Sequence, residues 1–143
     1  MSTDNGATFT EVGKNITGLP SGALTGDNPY WIARIEASHF DAKTAYVAID
    51  GHRSDDLKPY VFITRDLGKT WQEVTLTQSP NSTFWAFGKH ASDATVMFAG
   101  SKYGHLFRSR DGGATWIKEW REFSEITDVA WVPVRTEDNP VKH

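Results

Sequence analysis

Ser109-Arg110-Asp111-Gly112-Gly113-Ala114-Thr115-Trp116 decides the fold, because two other segments of the chain repeat its pattern. One is Ser2-Thr3-Asp4-Asn5-Gly6-Ala7-Thr8-Phe9, and the other is Thr64-Arg65-Asp66-Leu67-Gly68-Lys69-Thr70-Trp71. The shared pattern is Ser/Thr-x-Asp-x-Gly-x-Thr-Trp/Phe. We call these segments box 1 (residues 2–9), box 2 (residues 64–71) and box 3 (residues 109–116).

Each residue type in the pattern has a physical reason to be there. An Asp side chain accepts hydrogen bonds from backbone N–H groups two or three residues further on and so closes a turn. A Gly two positions later adopts positive φ without a steric penalty. Thr and the aromatic residue then favour the start of a buried strand. Each box is therefore predicted to be a self-capped hairpin turn, rather than a catalytic or calcium-binding site. The residues given this structural role are Asp4, Gly6, Asp66, Gly68, Trp71, Asp111, Gly113 and Trp116.

The spacing of the boxes predicts a β-propeller. Asp66 and Asp111 are 45 residues apart, which is the length of one four-stranded blade. Asp4 and Asp66 are 62 residues apart, and polar insertions at residues 13–29 and 51–59 account for the excess. The runs around the boxes alternate β-branched or aromatic residues with polar ones, and no window keeps a helical apolar period.

The strand pattern predicts an all-β partial β-propeller. It contains two four-stranded antiparallel blades, at residues 30–76 and 82–121, with the boxes as hairpin turns between the third and fourth strands. One extra strand is predicted at each end: residues 1–12 as the outer strand of a preceding blade and residues 125–134 as the inner strand of a following one. About two blades are fewer than a closed ring contains, so we expect the chain to be part of a larger propeller.

The boxes resemble those of the BNR/Asp-box superfamily of propellers. Sialidases, xyloglucan-cleaving glycosidases, sortilin-type receptors and photosystem assembly factors belong to it. The segments at residues 31–38, 44–56 and 58–60 resemble large bacterial proteins described as sortilin-like or glycosyl-hydrolase-like. The resemblance implies the fold and places the boxes at the outer rim, away from the channel where substrates bind. It does not imply one activity. Box 1 departs from the pattern because Phe9 replaces the Trp and no strands precede it.

Composition excludes several function classes. The net charge of −3 gives no basic field for nucleic acid or an anionic membrane, so neither is predicted as a partner. The chain has no apolar run of about 20 residues and no signal-peptide pattern at its start, so its compartment is not predicted. It has no cysteine and no recognisable cofactor or metal motif, so no cofactor and no metal site are predicted.

The strongest candidate for ligand binding is the loop between the second and third strands of the first blade. It projects from the face opposite the boxes and brings together His52, Arg53, Asp55 and Asp56. An imidazole, a guanidinium and carboxylates can perform acid–base chemistry or bind a sugar or a carboxylate. The alternative is a self-satisfied loop in which Arg53 pairs with Asp55 or Asp56 and Tyr60 packs beneath.

Arg34 is a weaker candidate on the innermost strand of the first blade. It shares a strand face with Glu36, so an ion pair or a hydrogen bond between blades is the alternative to a binding role. A sialidase needs three converging arginines, a tyrosine nucleophile with an acidic partner, and a further Asp. Two blades do not supply residues from all around a ring, and Arg34-Ile35-Glu36 only echoes the Arg-Ile-Pro signature. No catalytic residue is therefore assigned.

Three functions remain open. The favoured one is a non-catalytic propeller segment that acts as a scaffold or as a binding surface for a carbohydrate or protein ligand. The second is a fragment of a sialidase-like or xyloglucanase-like glycoside hydrolase that binds carbohydrate on the loop at residues 52–56. The third is a piece without activity of its own.

We also expect self-association. Two blades leave apolar faces and strand edges without neighbours, which favours a dimer or trimer that pairs terminal strands or stacks blades. The alternative is a monomer whose terminal segments fold back over the open faces.

Overall fold

The chain folds into two β-sheets that pack face to face, in a computed structural model that describes residues 1–133. The first blade contains β1 (Trp31–Ala37), β2 (Ala45–Gly51), β3 (Asp56–Thr64) and β4 (Gln72–Glu73). The second contains β6 (Phe84–His90), β7 (Asp93–Ser101), β8 (His105–Ser109) and β9 (Thr115–Glu122), joined by the short β5 (Thr75–Leu76). Single turns of 3-10 helix lie at Gly13–Asn15 and His52–Ser54.

Both blades are antiparallel meanders. Strand order is β1-β2-β3-β4 in the first sheet and β6-β7-β8-β9 in the main part of the second. Box 2 connects β3 to β4, and box 3 connects β8 to β9. The predicted all-β fold, a partial propeller with antiparallel blades, is confirmed.

The outer strand of the first blade is divided between the two sheets. Gln72 and Glu73 pair with β3, whereas Thr75 and Leu76 pair in parallel with Thr115 and Trp116 of β9. Sequence predicts one continuous strand here. The chain crosses over because the edge of β9 offers unpaired backbone groups, which the Thr75 and Thr77 N–H groups bond at 3.4 and 3.1 Å.

The main hydrophobic core lies between the blades. On the first blade, alternate residues of β2 and β3 face the second blade, as strand periodicity requires. On the second blade, Phe84 and Phe87 pack against a fully buried Trp116, and Phe107 packs edge-on against Phe84. The core side chains are Tyr46, Ala48, Val61, Ile63, Val74, Phe84, Phe87, Met97, Ala99, Phe107 and Trp116.

The three boxes have the same hydrogen-bond geometry. Each Asp carboxylate accepts the N–H of the Thr four residues later at 2.9 Å and its hydroxyl at 2.6 Å. The Ser or Thr two residues before the Asp accepts the Gly N–H at 2.8 to 2.9 Å. The N–H four residues on is thus the shared partner, rather than those two or three residues on; box 3 alone adds Ala114, three residues on, at 3.0 Å. Each Gly has a φ between 77° and 90°, and the residue before it is also left-handed.

The extra strand predicted at each end is absent from the described residues. Residues 8–12 form no ladder; the Thr10 N–H instead donates to the Met1 carbonyl, and these two residues flank the turn of box 1. Residues 126–132 also form no strand, and residue 134 of that predicted strand lies outside the described residues. Both sequences have strand character, but an isolated strand needs a ladder partner, and side-chain packing replaces it here.

Segments outside the blades cover the outer faces of the two blades. Over the second blade, Ile126 lies on Gly100 and Val129 lies on Gly88, so closely that a Cβ on either glycine would collide with them. Over the first blade, residues 13–30 cover a second apolar cluster. That cluster consists of Val47, Ile49, Tyr60 and Phe62, with Ile16, Leu19, Leu24, Tyr30 and Trp71 packed against it.

Candidate functional site

The candidate site lies at the end of the blades opposite boxes 2 and 3, which we call the upper face. It consists of the β2–β3 loop (residues 51–56), the β7–β8 loop (residues 102–104) and the starts of β1 and β6. Cross-strand pairs fix this arrangement, because Trp31 pairs with Asp50 and Phe84 pairs with Ser101. Each blade therefore places the first residues of its inner strand beside its own loop.

The backbone of the β2–β3 loop is held in one conformation. A turn of 3-10 helix ends at Asp55, which is left-handed with φ 59°. Asn28 clamps the turn from outside: its side-chain amide donates to the Arg53 carbonyl at 2.7 Å, and its backbone carbonyl accepts the Ser54 hydroxyl at 2.9 Å. Side chains on this loop are therefore displayed from a fixed base.

Asp56 is a structural clasp and not a free carboxylate. The same oxygen accepts the Tyr30 and Tyr60 hydroxyls at 2.7 Å each, and the other oxygen accepts the Lys58 N–H at 2.9 Å. The Tyr60 hydrogen bond is the main cause that lowers the pKa of Asp56. Burial, followed by the bond to Asp56, raises the pKa of Tyr60, and the bond to Asp56 raises that of Tyr30. Asp56 was predicted to bind a ligand, but it joins the loop to the core instead.

His52 and Asp55 remain at the surface. His52 Nδ1 lies 2.7 Å from an Asp50 carboxylate oxygen, and the His52 N–H bonds the other oxygen at 3.0 Å. The Asp55 carboxylate is exposed and has no hydrogen bond or ion pair within residues 1–133. It is thus the loop carboxylate that remains available to a ligand.

Arg53 stacks on a tryptophan instead of pairing with an acid. Its guanidinium carbon lies 4.0 Å from the ring centroid of Trp31, and it forms no salt bridge within the described part of the chain. The pairing with Asp55 or Asp56 that the sequence offered as the alternative does not occur: two tyrosine hydroxyls bind Asp56, and Asp55 forms no ion pair among the described residues. Trp31 keeps 53% of its surface exposed although it opens a strand.

The second blade repeats this arrangement with different residues. The Lys102 ammonium lies 5.4 Å from the Trp85 ring centroid and 6.0 Å from that of Tyr103, and Trp85 is 43% exposed. Asn81 clamps this loop as Asn28 clamps the first, since its amide donates to the Tyr103 carbonyl at 2.6 Å. This half of the site was not predicted from the sequence. The signal was available as an Asn followed three or four residues later by a Trp, before each inner strand.

Arg34 lies away from the upper face, in an ionic network between the blades. It contacts Glu36 at 3.4 Å, and the other Glu36 oxygen contacts the buried ammonium of Lys89, on β6, at 2.8 Å. Lys89 also donates to the Ala37 carbonyl. Because this network ties the two inner strands side by side, Arg34 has a structural position and is not gathered with the loop residues.

Two kinds of feature are not found in residues 1–133. No cluster of three or more His, Asp or Glu side chains is arranged to hold a metal ion. No helix there has the length and apolarity to span a bilayer.

Comparison with known proteins supports the fold. The sequence matches no protein-family profile and no curated protein. Among solved structures, the chain is similar to the GH74 enzyme of Niastella koreensis, with 19% sequence identity and a TM-score of 0.50. The match covers 65% of this chain and 15% of that enzyme, so this chain corresponds to a small part of that structure. At this identity the similarity carries the β-propeller architecture and not an activity.

Proposed function

We propose that this chain is a non-catalytic propeller segment whose upper face is a binding surface for carbohydrate. The observation that carries the proposal is the pair of exposed tryptophans, Trp31 and Trp85, held at the same end of neighbouring blades with a cation over each ring. Exposed indole rings are favoured platforms for ligands, because they bury a large area at little cost in side-chain entropy. The three boxes support a relation to Asp-box propellers, several of which act on glycans.

The state of the loop carboxylates favours binding over catalysis. Glycoside hydrolysis uses two carboxyl groups about 5 to 10 Å apart on either side of the scissile bond. At the end of β2, Asp50 faces His52, and in the β2–β3 loop Asp56 is bound by Tyr30 and Tyr60, which leaves Asp55 alone. One free carboxylate on a loop does not make such a pair.

Binding to a panel of oligosaccharides tests the proposal, with isothermal titration calorimetry on the intact chain. We expect Trp31→Ala and Trp85→Ala each to weaken binding of the best ligand by about tenfold, since one stacked aromatic contributes on the order of 1 to 3 kcal/mol. Trp120→Ala is the matched control. Trp120 is also exposed and also lies near a cation, Arg121 at 5.2 Å, but it belongs to the outermost strand β9.

The panel result decides the proposal. If no oligosaccharide binds, or if Trp120→Ala weakens binding as much as the upper-face variants do, the upper face is not the binding surface. Circular dichroism spectra of all three variants establish that each is folded, so that lost binding is not lost structure.

A second candidate is one wall of a glycosidase cleft. The exposed Asp55 and the structural similarity to a GH74 enzyme favour it. Chromogenic glycosides test it directly: turnover that disappears in Asp55→Asn, with binding retained, would replace the non-catalytic proposal by this one.

A further inference from the structure

Two cations on the upper face have no acidic partner. Arg53 and Lys102 form no ion pair within residues 1–133, although Asp55 is only two residues from Arg53. What sets Arg53 and Lys102 apart is that each lies over an exposed tryptophan of the upper face, because Lys14, Lys43, Arg65, Lys69, Arg110 and Arg121 likewise form no ion pair among the described residues. Five other cations of the blades meet acids at 2.6 to 3.4 Å. Those paired cations are Arg34, Lys58, Lys89, Arg108 and Lys118.

Repeated backbone clamps hold the two loops that carry these cations. Asn28 fixes the carbonyl of Arg53, and Asn81 fixes the carbonyl of Tyr103 beside Lys102. A second bond holds each loop as well: Ser54 reaches back to Asn28, and the Tyr103 N–H bonds the Ser82 hydroxyl at 3.0 Å. Rigid loops of this kind lower the ordering cost of binding, which is the usual source of affinity in a preorganised site.

A ring and a cation together match one kind of sugar. A hexuronic acid presents an apolar C–H face, which packs on an indole, and a carboxylate, which forms charge-assisted hydrogen bonds with guanidinium or ammonium. A neutral sugar would use the ring and leave the cation without a partner.

We infer that the upper face binds a linear oligosaccharide of hexuronic acids, with Trp31 and Arg53 forming one subsite and Trp85 and Lys102 forming the next. This inference rests on the proposed function and adds the chemical class of the ligand. The two subsites lie on adjacent blades whose inner strands are tied together by Glu36 and Lys89, at the end away from the upper face. We expect an oligomer that spans the two blades to contact both subsites.

The charge of Asp55 should affect the binding of an acidic sugar differently from that of a neutral sugar. Its unpaired carboxylate lies in the same turn as Arg53 and repels an incoming carboxylate. Replacing Asp55 by Asn therefore strengthens binding of an acidic sugar, whereas it leaves a neutral sugar unchanged or weakens it.

Calorimetry with a matched pair of ligands tests the inference. The acidic probe is a hexasaccharide of galacturonic acid, and the neutral probe is the same hexasaccharide as its methyl ester. We expect the acid to bind more tightly than the ester, and to lose affinity as salt is raised. Arg53→Ala and Lys102→Ala should each weaken binding of the acidic hexasaccharide by about tenfold, as expected for the loss of one charged hydrogen bond. Asp55→Asn should tighten it by about twofold to threefold.

Arg121→Ala is the matched control, because Arg121 also lies over an exposed tryptophan but on β9. Poly-glutamate, which carries carboxylates without sugar rings, should not bind. Equal binding of poly-glutamate would reduce the site to charge alone and overturn the inference.

The outcomes separate the inference from the proposed function. If acid and ester bind equally, and Trp31→Ala weakens both, the carbohydrate surface stands and the acidic class is wrong. If neither probe binds at millimolar concentration, the inference is wrong, and the oligosaccharide panel decides the proposed function independently. If Asp55→Asn weakens binding of the acid, Asp55 contacts the ligand and the assigned charge pattern is wrong.

Discussion

Box 1 and box 3 share the hydrogen bonds from Thr to Asp but lie in opposite surroundings. In box 3 the aromatic residue is Trp116, fully buried against Phe84 and Phe87, and strands flank the turn on both sides. In box 1 the aromatic residue is Phe9, which is 77% exposed, and no strand adjoins the turn. The distances from Asp to Thr are nevertheless identical, 2.9 and 2.6 Å.

The turn of a box is a local structure, whereas a blade depends on tertiary packing. The side-chain hydrogen bonds that close the turn have both donor and acceptor within the box itself, so the turn is a local structure. A blade forms only where the aromatic residue after the turn finds a core to enter. Box 2 is intermediate, because Trp71 packs at the edge of the second apolar cluster. The buried indole N–H of Trp71 has no hydrogen-bond partner within residues 1–133, whereas the indole N–H of Trp116 donates to the Gly113 carbonyl at 3.0 Å.

The largest effect expected is that of removing the buried aromatic. Trp116→Ala should destabilise the fold by about 3 to 5 kcal/mol, since it leaves a large cavity between the blades. Phe9→Ala should leave the free energy of unfolding unchanged. Urea unfolding followed by far-UV circular dichroism measures both, and equal destabilisation by the two substitutions would break the comparison.

The second effect concerns the capping carboxylate. Asp111→Ala should destabilise the fold by about 1 to 3 kcal/mol, because the Thr115 and Ala114 N–H groups lose their acceptor. Asp4→Ala should give no measurable change in the midpoint of the same unfolding curve, because box 1 adjoins no strand. Asp111→Asn is the control, since its amide oxygen keeps one acceptor and should retain part of the stability. A normal melting curve for Asp111→Ala combined with lost ligand binding would make Asp111 a functional residue.

Sequence alone predicts much of the fold for this same reason. Each box encodes its own turn, and the alternation in β2, β3, β7 and β8 is strong enough to place the strands. Strand patterns at residues 8–12 and 126–132 mislead, because a strand also needs a free edge to pair with. Ile126 and Val129 pack on glycines of the second blade instead, and no local sequence pattern predicts this contact.

The candidate site is less readable from sequence. The loop at residues 52–56 stands out by its charges, but the role of Asp56 depends on Tyr30, 26 residues earlier in the chain. The half of the site on the second blade has few charges and is defined by the position of Lys102 over Trp85, which depends on the packed blades.

The pH dependence of the boxes sharpens the comparison further. Hydrogen bonds from Thr8 and from Thr70 are the main causes that lower the pKa of Asp4 and of Asp66 to about 2. Burial raises the pKa of Asp111, but its hydrogen bonds from Thr115, Ser109 and Ala114 outweigh this effect and the net shift is downward. A folded pKa below the unfolded value of about 3.9 means that the ionised form favours the folded turn. This contribution is complete above about pH 4 and is lost as the pH falls through the folded pKa.

Carboxyl carbon NMR between about pH 5 and pH 1 measures these titrations one residue at a time. We expect Asp4 to titrate as low as Asp66, although box 1 adjoins no strand. If Asp4 titrates at the value of an unfolded Asp while Asp66 does not, box 1 is not formed in solution, and the turn depends on its blade after all.

The smallest effect expected comes from the residue before each box glycine, which adopts the left-handed conformation in all three turns. Box 1 places Asn5 there at φ 56°, box 2 places Leu67 at φ 62°, and box 3 places Gly112 at φ 66°. Leu is the least suited of the three, because a side chain with a Cβ costs about 1 to 2 kcal/mol in this region and only Asn, Asp and Gly relieve it routinely.

Leu67→Gly removes that strain but gives the unfolded chain more freedom, worth about 0.5 to 1 kcal/mol, so the net gain should be on the order of 0.5 kcal/mol. The backbone bond from residue 67 to the Lys43 carbonyl, 3.0 Å long, does not involve the side chain and should persist. The reverse change, Gly112→Leu in box 3, should destabilise the fold by a similar amount, and the two variants are compared by urea unfolding. If Leu67→Gly is instead destabilising, the half-buried Leu67 side chain contributes packing that exceeds the strain, and box 2 depends on its surroundings more than on its own backbone.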